Sequence, residues 1–344
     1  MRFSPLFFLL SFLSLTALAG PLDLQRRVNL DPSVDSTVIE LAGPSSPGGA
    51  YPRTTILSDG SILGCCTAAS DGVKTLTVTK STNEGLNWSQ IGTIAQSTGD
   101  LDNCYVLQLA NGNVVAAFRN HDLNSEGSTR NIGLQRLCRR MQERRGFFLS
   151  QVSQRAATVI NNGLWMVPSA YYSSENSAVD QDILLQSSTD NGQTWSTPST
   201  VAGATTTGRD GMPGCVDLVN GTLMCVFETT QVTGNTDSGD LNIKSISSND
   251  EGSTWGDRNE VYVATAAEVE AAAPQIALST GGAIVVSFYT DENNVPASNF
   301  KIITSSTGNV GSWGDETIVA SGGQSSWPGL LSLPDGTVLE ILNK

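Results

Sequence analysis

One octet pattern, Ser-x-Asp/Asn-x-Gly-x-Thr/Asn-Trp, occurs three times in the chain: Ser81–Trp88 (STNEGLNW), Ser188–Trp195 (STDNGQTW) and Ser248–Trp255 (SNDEGSTW). An Asp or Asn followed two residues later by Gly forms a tight turn, because its side-chain oxygen accepts backbone N–H groups and glycine adopts positive φ without a steric penalty. The closing tryptophan is a large apolar group that can hold the turn against the domain. The octets therefore predict equivalent turns of one repeated unit.

A second pattern recurs with a longer period: an apolar strand, a Gly-centred turn and another apolar strand. Asp-Gly, Asn-Gly and Gly-Gly between alternating apolar residues are strong hairpin signals. The five copies are Tyr51–Cys66, Cys104–Arg119, Met212–Glu228, Ala273–Tyr289 and Trp327–Leu342. A double gap in their spacing predicts a sixth copy near residues 160–172.

The octets keep a fixed phase relative to the hairpins. They begin 30 residues after Tyr51 and 36 after Met212, and a degenerate copy, Ser306–Trp313, begins 33 after Ala273. This phase places each octet between the outer two strands of a four-stranded sheet. Six such units predict an all-β fold, a six-bladed β-propeller, because ring closure avoids the exposed ends that a solenoid would leave.

The N-terminus predicts export. Met1-Arg2 precedes the apolar run Phe3–Leu18, which ends in an Ala-Leu-Ala cleavage site, so residues 1–19 are interpreted as a signal peptide. The run is too short for a membrane anchor. We expect a secreted, extracellular protein with a processed or flexible segment at 20–35 and a single propeller domain at 36–344.

The composition limits the classes of molecule that the protein is expected to bind. The chain has 19 Lys+Arg against 33 Asp+Glu, which makes nucleic acid and anionic membranes poor partners. Sequons at Asn87 and Asn220 predict glycosylation. Cys215 and Cys225 lie on the two strands of one hairpin and are predicted to form a disulfide, whereas the other four cysteines are not paired by the sequence. We expect a monomer with no cofactor and no metal.

Residues 129–157 break the repeat. They hold seven of the fourteen arginines, lack strand alternation and contain no octet where the second unit requires one. Two interpretations stay open: a basic amphipathic helix inserted in the unit, or a misread stretch of gene that replaces its outer strands. Translating the genomic DNA in all frames and searching for the missing octet would separate them.

The ends of each hairpin return to one face of the predicted propeller. Residues seven positions after the turn glycine are equivalent there: Thr67, Arg119, Glu228, Tyr289 and Asn343. Carboxylates, arginines and aromatic rings on such a face suit sugar binding and hydrolysis. The predicted substrate-binding residues are Arg53, Asp102, Arg119, Asp122, Trp165, Tyr172, Arg209, Asp210, Tyr289 and Trp327.

Glu228 is the predicted catalytic residue. It follows the apolar run Leu223–Phe227 at a strand end, where an inward carboxylate would have a raised pKa suited to proton donation. The alternative is a strand-end carboxylate satisfied by backbone N–H groups or an arginine. His121, the only histidine, is interpreted as a rim residue rather than a catalytic base.

The octets resemble the Asp-box of the sialidase (BNR-repeat) superfamily. Gly208–Glu228 and Tyr51–Gly64 look like the family 93 glycoside hydrolases, which are secreted fungal exo-α-1,5-L-arabinanases. The resemblance implies a sialidase-type propeller and an exo-acting, retaining hydrolase of plant cell-wall polysaccharide. It also implies two catalytic glutamates, of which one matches Glu228.

The second glutamate of that family is absent from this sequence. It is expected in a Leu-Trp-Glu-Pro-Phe-like segment, which here reads Leu164–Pro168 (LWMVP). Neither Glu175 nor Asp182 is assigned to replace it. The polypeptide as written therefore lacks half of the expected mechanism.

Two other functions remain open. An exo-α-sialidase would use a tyrosine nucleophile, an arginine triad and an Asp acid, but the expected Phe/Tyr-Arg-Ile-Pro is replaced by Tyr51–Thr54 (YPRT). A non-catalytic carbohydrate- or protein-binding propeller is the third possibility, because the octets serve structure in binding proteins too. Under either enzyme hypothesis, the partner is an oligo- or polysaccharide substrate.

Overall fold

Every regular element described in the computed structural model is a β-strand. The described residues are 50–99, 101–109, 112–120, 131–137, 145–150, 154–161, 166–175, 181–189, 194–203, 208–218, 221–232, 236–264, 269–292, 298–306, 311–323 and 327–342. No helix that could cross a membrane occurs within these ranges. The predicted signal peptide (1–19) and the segment 20–35 lie outside them.

The strands form six antiparallel sheets, in each of which consecutive strands are neighbours. The first sheet contains β1 (Ala50–Ile56), β2 (Ile62–Ser70), β3 (Val73–Ser81) and β4 (Ser89–Ser97). The second contains β5 (Leu101–Gln108), β6 (Val114–Asn120), β7 (Asn131–Leu137) and β8 (Arg145–Ser150). The third contains β9 (Gln154–Asn161), β10 (Met166–Glu175), β11 (Gln181–Ser187) and β12 (Ser199–Ala202).

The remaining sheets continue this order. The fourth contains β13 (Asp210–Asp217), β14 (Leu223–Val232), β15 (Thr236–Ser248) and β16 (Gly256–Tyr262). The fifth contains β17 (Ala271–Leu278), β18 (Ala283–Thr290), β19 (Ser298–Ser306) and β20 (Gly314–Gly323). The sixth, as described, contains β21 (Gly329–Ser332) and β22 (Val338–Ile341).

The first strands of the sheets are neighbours in a closed cycle. β1 contacts β5, β5 contacts β9, and so on through β13, β17 and β21, which in turn contacts β1. Apolar side chains fill the space between adjacent sheets; Leu76 and Ile94 of the first sheet, for example, pack with Leu101 and Phe118 of the second. Each fully buried side chain of this size contributes about 1.5–3 kcal/mol to stability, so sheet-on-sheet packing holds the cycle together.

The predicted hairpins are the first two strands of the sheets. β1–β2, β5–β6, β13–β14, β17–β18 and β21–β22 coincide with the five copies read from the sequence. The sixth copy, expected near residues 160–172, is the β9–β10 hairpin. The repeat was therefore placed correctly in all six units.

Residues 129–157 contain strands, which contradicts the helix interpretation over the described part of this stretch. β7 pairs with β6 and β8 pairs with β7, which completes the second sheet, and β9 begins the third. Backbone pairing with a neighbouring strand overrides weak local patterning. The misread-gene hypothesis concerns the DNA and stays a prediction.

The octets lie between the third and fourth strands of their sheets, as predicted. Ser248 Oγ accepts the Gly252 N–H at 2.8 Å and donates to Asp250 Oδ1 at 2.8 Å, and that oxygen accepts the Thr254 N–H at 2.8 Å. Trp255 Nε1 donates to the Gly252 carbonyl at 3.1 Å. The first octet repeats this pattern of bonds with the corresponding residues. Similar sequences thus form similar turns.

Two disulfides tie the described strands. Cys215 and Cys225 are opposite each other in the β13–β14 hairpin and are bonded, the pair that the hairpin predicted. Cys65 of β2 is bonded to Cys104 of β5, so this bridge joins the first two sheets. The sequence left that pairing open because its two partners meet only through sheet packing. Cys66, the next residue in β2, is buried as a free thiol.

Candidate active site

A left-handed residue stands at the start of the first strand in five of the six sheets as described. These residues, with φ between 48° and 68°, are Tyr51, Asn103, Met212, Ala273 and Trp327. In the first, second, fourth and fifth sheets the pairing register shifts at the same point, which marks a β-bulge. Such a conformation costs a non-glycine residue about 1–2 kcal/mol, and the bulge leaves its backbone N–H outside the ladder.

Glu228 lies where one of these bulges meets the neighbouring sheet. It is on β14 opposite Gly211, and only 2% of its surface is exposed. Arg209 Nη2 contacts Glu228 Oε1, and the N–H of the bulged Ala273 donates to Oε2 at 2.9 Å. A guanidinium and an N–H donor are the partners of a carboxylate anion. The structure therefore shows the alternative that the sequence left open, and these contacts suit a nucleophile better than a proton donor.

Gly211 provides the space for this ion pair. A Cβ at this position would lie 3.2 Å from Arg209 Nε, from Gln181 Oε1 and from Glu228 Oε1. Contacts this short would force the neighbouring side chains to move. A glycine is thus needed at the centre of the site for steric reasons rather than for its backbone conformation.

Glu270 and Tyr289 interact electrostatically with Glu228, and Asp291 interacts with both of them. Glu270 precedes β17, and its N–H donates to Asp291 Oδ1 at 2.8 Å. Burial raises the pKa of Glu270, and the negative charges of Asp291 and Glu228 raise it further. Burial also raises the pKa of the Tyr289 phenol, with a further contribution from Glu228 and Glu270. The site thus combines an arginine-bound carboxylate with a carboxyl group whose pKa is raised.

Asp210, predicted to bind substrate, is instead bound by an arginine of the same chain. Arg258 Nη1 donates to Asp210 Oδ2 at 2.7 Å, and Nη2 donates to Oδ1 at 2.8 Å. The guanidinium lies over the ring of Phe227, 4.9 Å from its centroid, and Asp210 is 1% exposed. Both oxygens are therefore committed to a buried, bidentate ion pair that fixes the entry to β13.

Arg53 lies at the junction of the first and sixth sheets. Its Nη1 donates to the carbonyls of Pro52 at 2.9 Å and Pro328 at 2.8 Å, and the guanidinium lies 5.0 Å from the centroid of the Tyr105 ring. Its Nε and Nη2 are shielded from solvent and have no hydrogen-bond partner among the described residues. This unsatisfied edge keeps Arg53 a candidate for binding substrate.

The other predicted binding residues are described to different extents. Trp327 stacks on Tyr51 with 4.2 Å between ring centroids, and Asp102 is buried opposite Arg119 in the β5–β6 register. The structure does not describe the side chains of Arg119 and Tyr172. It also does not describe the residues Asp122, Trp165, Asn220, His121 and Asn343. Among the described residues, no group of His, Cys, Asp and Glu is arranged to hold a metal ion.

The sequence interpretation missed Glu270, Asp291 and Arg258. Glu270 stands three residues before the left-handed Ala273, as Arg209 stands three residues before Met212. Counting backwards from the hairpin starts, as well as forwards from the turn glycines, would have found it. Arg258 gave no such signal, because it reaches Asp210 from the fourth strand of the sheet.

Solved structures resemble this one along most of the chain. The α-L-arabinofuranosidase of Fusarium graminearum, as a variant with an iminosugar inhibitor, aligns over 86% of this chain and 92% of its own, with a TM-score of 0.64 and 17% identity. The α-L-arabinanase of Penicillium chrysogenum with arabinobiose aligns over 85% and 89%, with a TM-score of 0.62 and 18% identity. The fold is sialidase-like.

The NanB sialidase of Streptococcus pneumoniae extends this likeness. It aligns over 89% of this chain and 67% of its own, with a TM-score of 0.62 and 12% identity. No family model matches the sequence, and no curated protein matches it either. The resemblance to the sialidases and to family 93 glycoside hydrolases is thus confirmed as a likeness of propeller-type fold.

Proposed function

We propose that this protein is a secreted glycoside hydrolase that releases sugar from arabinose polymers by an exo-acting, retaining mechanism. The observation that carries the proposal is the environment of Glu228, a buried carboxylate held by Arg209 and by the N–H of a strained bulge. The arabinose-specific names of two similar structures support the substrate class. The six sheets and their closed cycle of first strands support a six-bladed propeller.

The geometry supports the role of nucleophile for Glu228. Arg209 and the Ala273 N–H hold its two oxygens apart and fix the plane of the carboxylate. A carboxylate positioned in this way attacks an anomeric carbon without having to reorganise. A second carboxyl group must then protonate the departing oxygen.

The same neighbourhood disfavours a sialidase mechanism. That mechanism needs a tyrosine that readily gives up its proton, whereas burial and nearby carboxylates raise the pKa of Tyr289. It also needs free arginines, but Arg209 is bound by Glu228 and Arg258 by Asp210. A neutral sugar fits this acidic site better than a sialic acid, which brings a carboxylate of its own.

The test is hydrolysis of linear α-1,5-arabinan by the purified protein, with a sialyl glycoside as the second substrate. We expect reducing sugar from arabinan and none from the sialyl glycoside. Hydrolysis of the sialyl glycoside instead would indicate a sialidase. Binding of arabinan without hydrolysis of either substrate would indicate a carbohydrate-binding propeller.

Gly211→Ala is expected to lower kcat on arabinan by about 10- to 100-fold with little change in Tm. Its Cβ would lie 3.2 Å from three side-chain atoms of the site, so these side chains, Glu228 among them, would have to shift by a few tenths of an ångström, and misplacement of a reacting group lowers the rate. The measurement is kcat and KM with thermal unfolding of the same samples.

Gly256→Ala is the matched control for Gly211→Ala. It adds the same methyl group to a strand where no atom lies within 4 Å of the new Cβ. It should retain wild-type kcat. Equal activity of the two variants would mean that the Arg209–Glu228 pair tolerates displacement and that its geometry is not catalytic.

A further inference from the structure

The proposed function needs a second carboxyl group, and the sequence does not supply one at the position expected from family 93. Leu164–Pro168 contains no glutamate. Among the described residues, the candidates for this group are the acidic residues near Glu228. Three acidic residues interact with Glu228 or with its neighbours there: Glu270, Asp291 and Asp240.

Glu270 belongs to the same short chain segment as Ala273, whose N–H binds Glu228. It lies three residues before Ala273, whose N–H holds Glu228 Oε2, so one short segment of β17 and its approach positions both groups. Glu270 also occupies, in the fifth sheet, the position that Arg209 occupies in the fourth. Arg209 contacts Glu228, and Glu270, at the equivalent position in the next sheet, interacts electrostatically with the same carboxylate.

Asp291 binds the backbone of Glu270, since its Oδ1 accepts the Glu270 N–H at 2.8 Å. The next residue, Glu292, is buried, and its carboxylate accepts a hydrogen bond from Lys301 Nζ at 2.8 Å, while its own N–H donates to Thr290 Oγ1 at 3.1 Å. The approach to β17 is therefore bonded to the segment that follows β18.

The two glutamates differ in their contacts with cations. Glu228 contacts the Arg209 guanidinium, whereas Glu270 forms no ion pair in the described part of the chain; burial and the charges of Asp291 and Glu228 raise its pKa, and the charge of Arg209 lowers it to a smaller extent. Half-burial disfavours the charged form of Glu270, and these carboxylates disfavour it further. Two carboxyl groups whose surroundings differ in this way fit an acid and a nucleophile.

We propose that Glu270 is the proton donor of the site, acting opposite Glu228. In the first step the Glu270 proton passes to the glycosidic oxygen, the bond from that oxygen to the anomeric carbon breaks with its electron pair staying on the oxygen, and a Glu228 oxygen bonds to the anomeric carbon. In the second step water bonds to the anomeric carbon, its proton passes to Glu270, and the bond to Glu228 breaks, which restores the carboxylate. This assignment rests on the proposed hydrolase function.

Glu270→Gln on two substrates tests the proposal. The leaving group of an α-1,5-arabinose oligosaccharide is an alcohol, which must be protonated as it departs. The leaving group of a 4-nitrophenyl α-L-arabinofuranoside is 4-nitrophenolate, which is stable without a proton. We expect kcat/KM to fall about 10²- to 10⁴-fold on the oligosaccharide and less than about tenfold on the aryl substrate. The basic limb of the pH–rate profile should disappear in the variant, since Gln cannot titrate.

The outcomes separate this proposal from the proposed function. Equal losses on both substrates, no loss on either, or an unchanged pH profile would overturn the role of Glu270 and leave the hydrolase function standing. A wild-type protein inactive on both substrates would overturn the function and this proposal together. Glu84→Gln, on an exposed turn, is the matched control, and Glu270→Ala with Tm measurements shows whether a loss reflects unfolding.

Discussion

Glu228→Gln is expected to lower kcat on arabinan by about a thousandfold or more. Glutamine has the shape of glutamate, and its amide oxygen can still accept the Ala273 N–H. A neutral amide cannot attack the anomeric carbon or stabilise the positive charge that develops there. The loss should appear in kcat rather than in KM, because the removed interaction is made in the transition state.

The fold should survive this substitution. Arg209 loses its partner, but 35% of its side chain is exposed, so water can solvate the guanidinium and the stability change should be small. Glu84→Gln, the exposed control, should keep full activity. A Glu228→Gln protein that is folded and within tenfold of wild type would exclude Glu228 as the nucleophile.

Glu340→Gln is expected to stabilise the protein at alkaline pH. Glu340 lies on β22, and both of its carboxylate oxygens are shielded from solvent and have no hydrogen-bond partner in the part of the chain that the structure describes. Burial raises its pKa from 4.5 to about 8. Folding therefore favours the protonated acid, so stability is fully present below pH 4.5 and is lost as pH rises towards 8. The loss is on the order of 4 kcal/mol.

The measurement is Tm of both proteins between pH 5 and pH 9. Glutamine does not titrate, so the variant should gain on wild type as pH rises, by on the order of 5 °C or more at pH 9. At pH 5 the two proteins should be close. Glu260→Gln, on the exposed face of β16, should show no such trend. A difference that stays constant with pH would mean that Glu340 is hydrated or paired in the folded protein.

The fold followed from local signals that repeat. The turn chemistry of Ser248–Trp255 depends on bonds within eight residues, so its sequence is sufficient to predict it. The hairpins have the same property, and their phase relative to the octets placed the β9–β10 pair even though its own sequence signal is weak. The helix interpretation of residues 129–157 was wrong over the described part of that stretch, because β7 depends on pairing with β6 and β8 on pairing with β7, which local patterning does not report.

The site was only half predictable. Counting from the turn glycine found Glu228 and Tyr289, since the register of a hairpin is fixed by its turn. Asp210 was predicted to bind substrate because of its position, but it is bound by Arg258, which lies 48 residues later in the chain. Nothing in the spacing shows which of two charged groups will be neutralised by a third.

The sequence by itself determined the repeat, the order of the strands and the hairpin position of Glu228, because each depends on bonds between residues close in the chain. The tertiary structure decided the chemical surroundings of that carboxylate. The Ala273 N–H that binds Glu228 belongs to the next sheet. Glu270, which interacts electrostatically with Glu228 and is bonded to Asp291, lies on the approach to that same sheet. Contacts between sheets depend on burial and on the placement of whole strands, so the charge around Glu228 is a property of the assembled sheets.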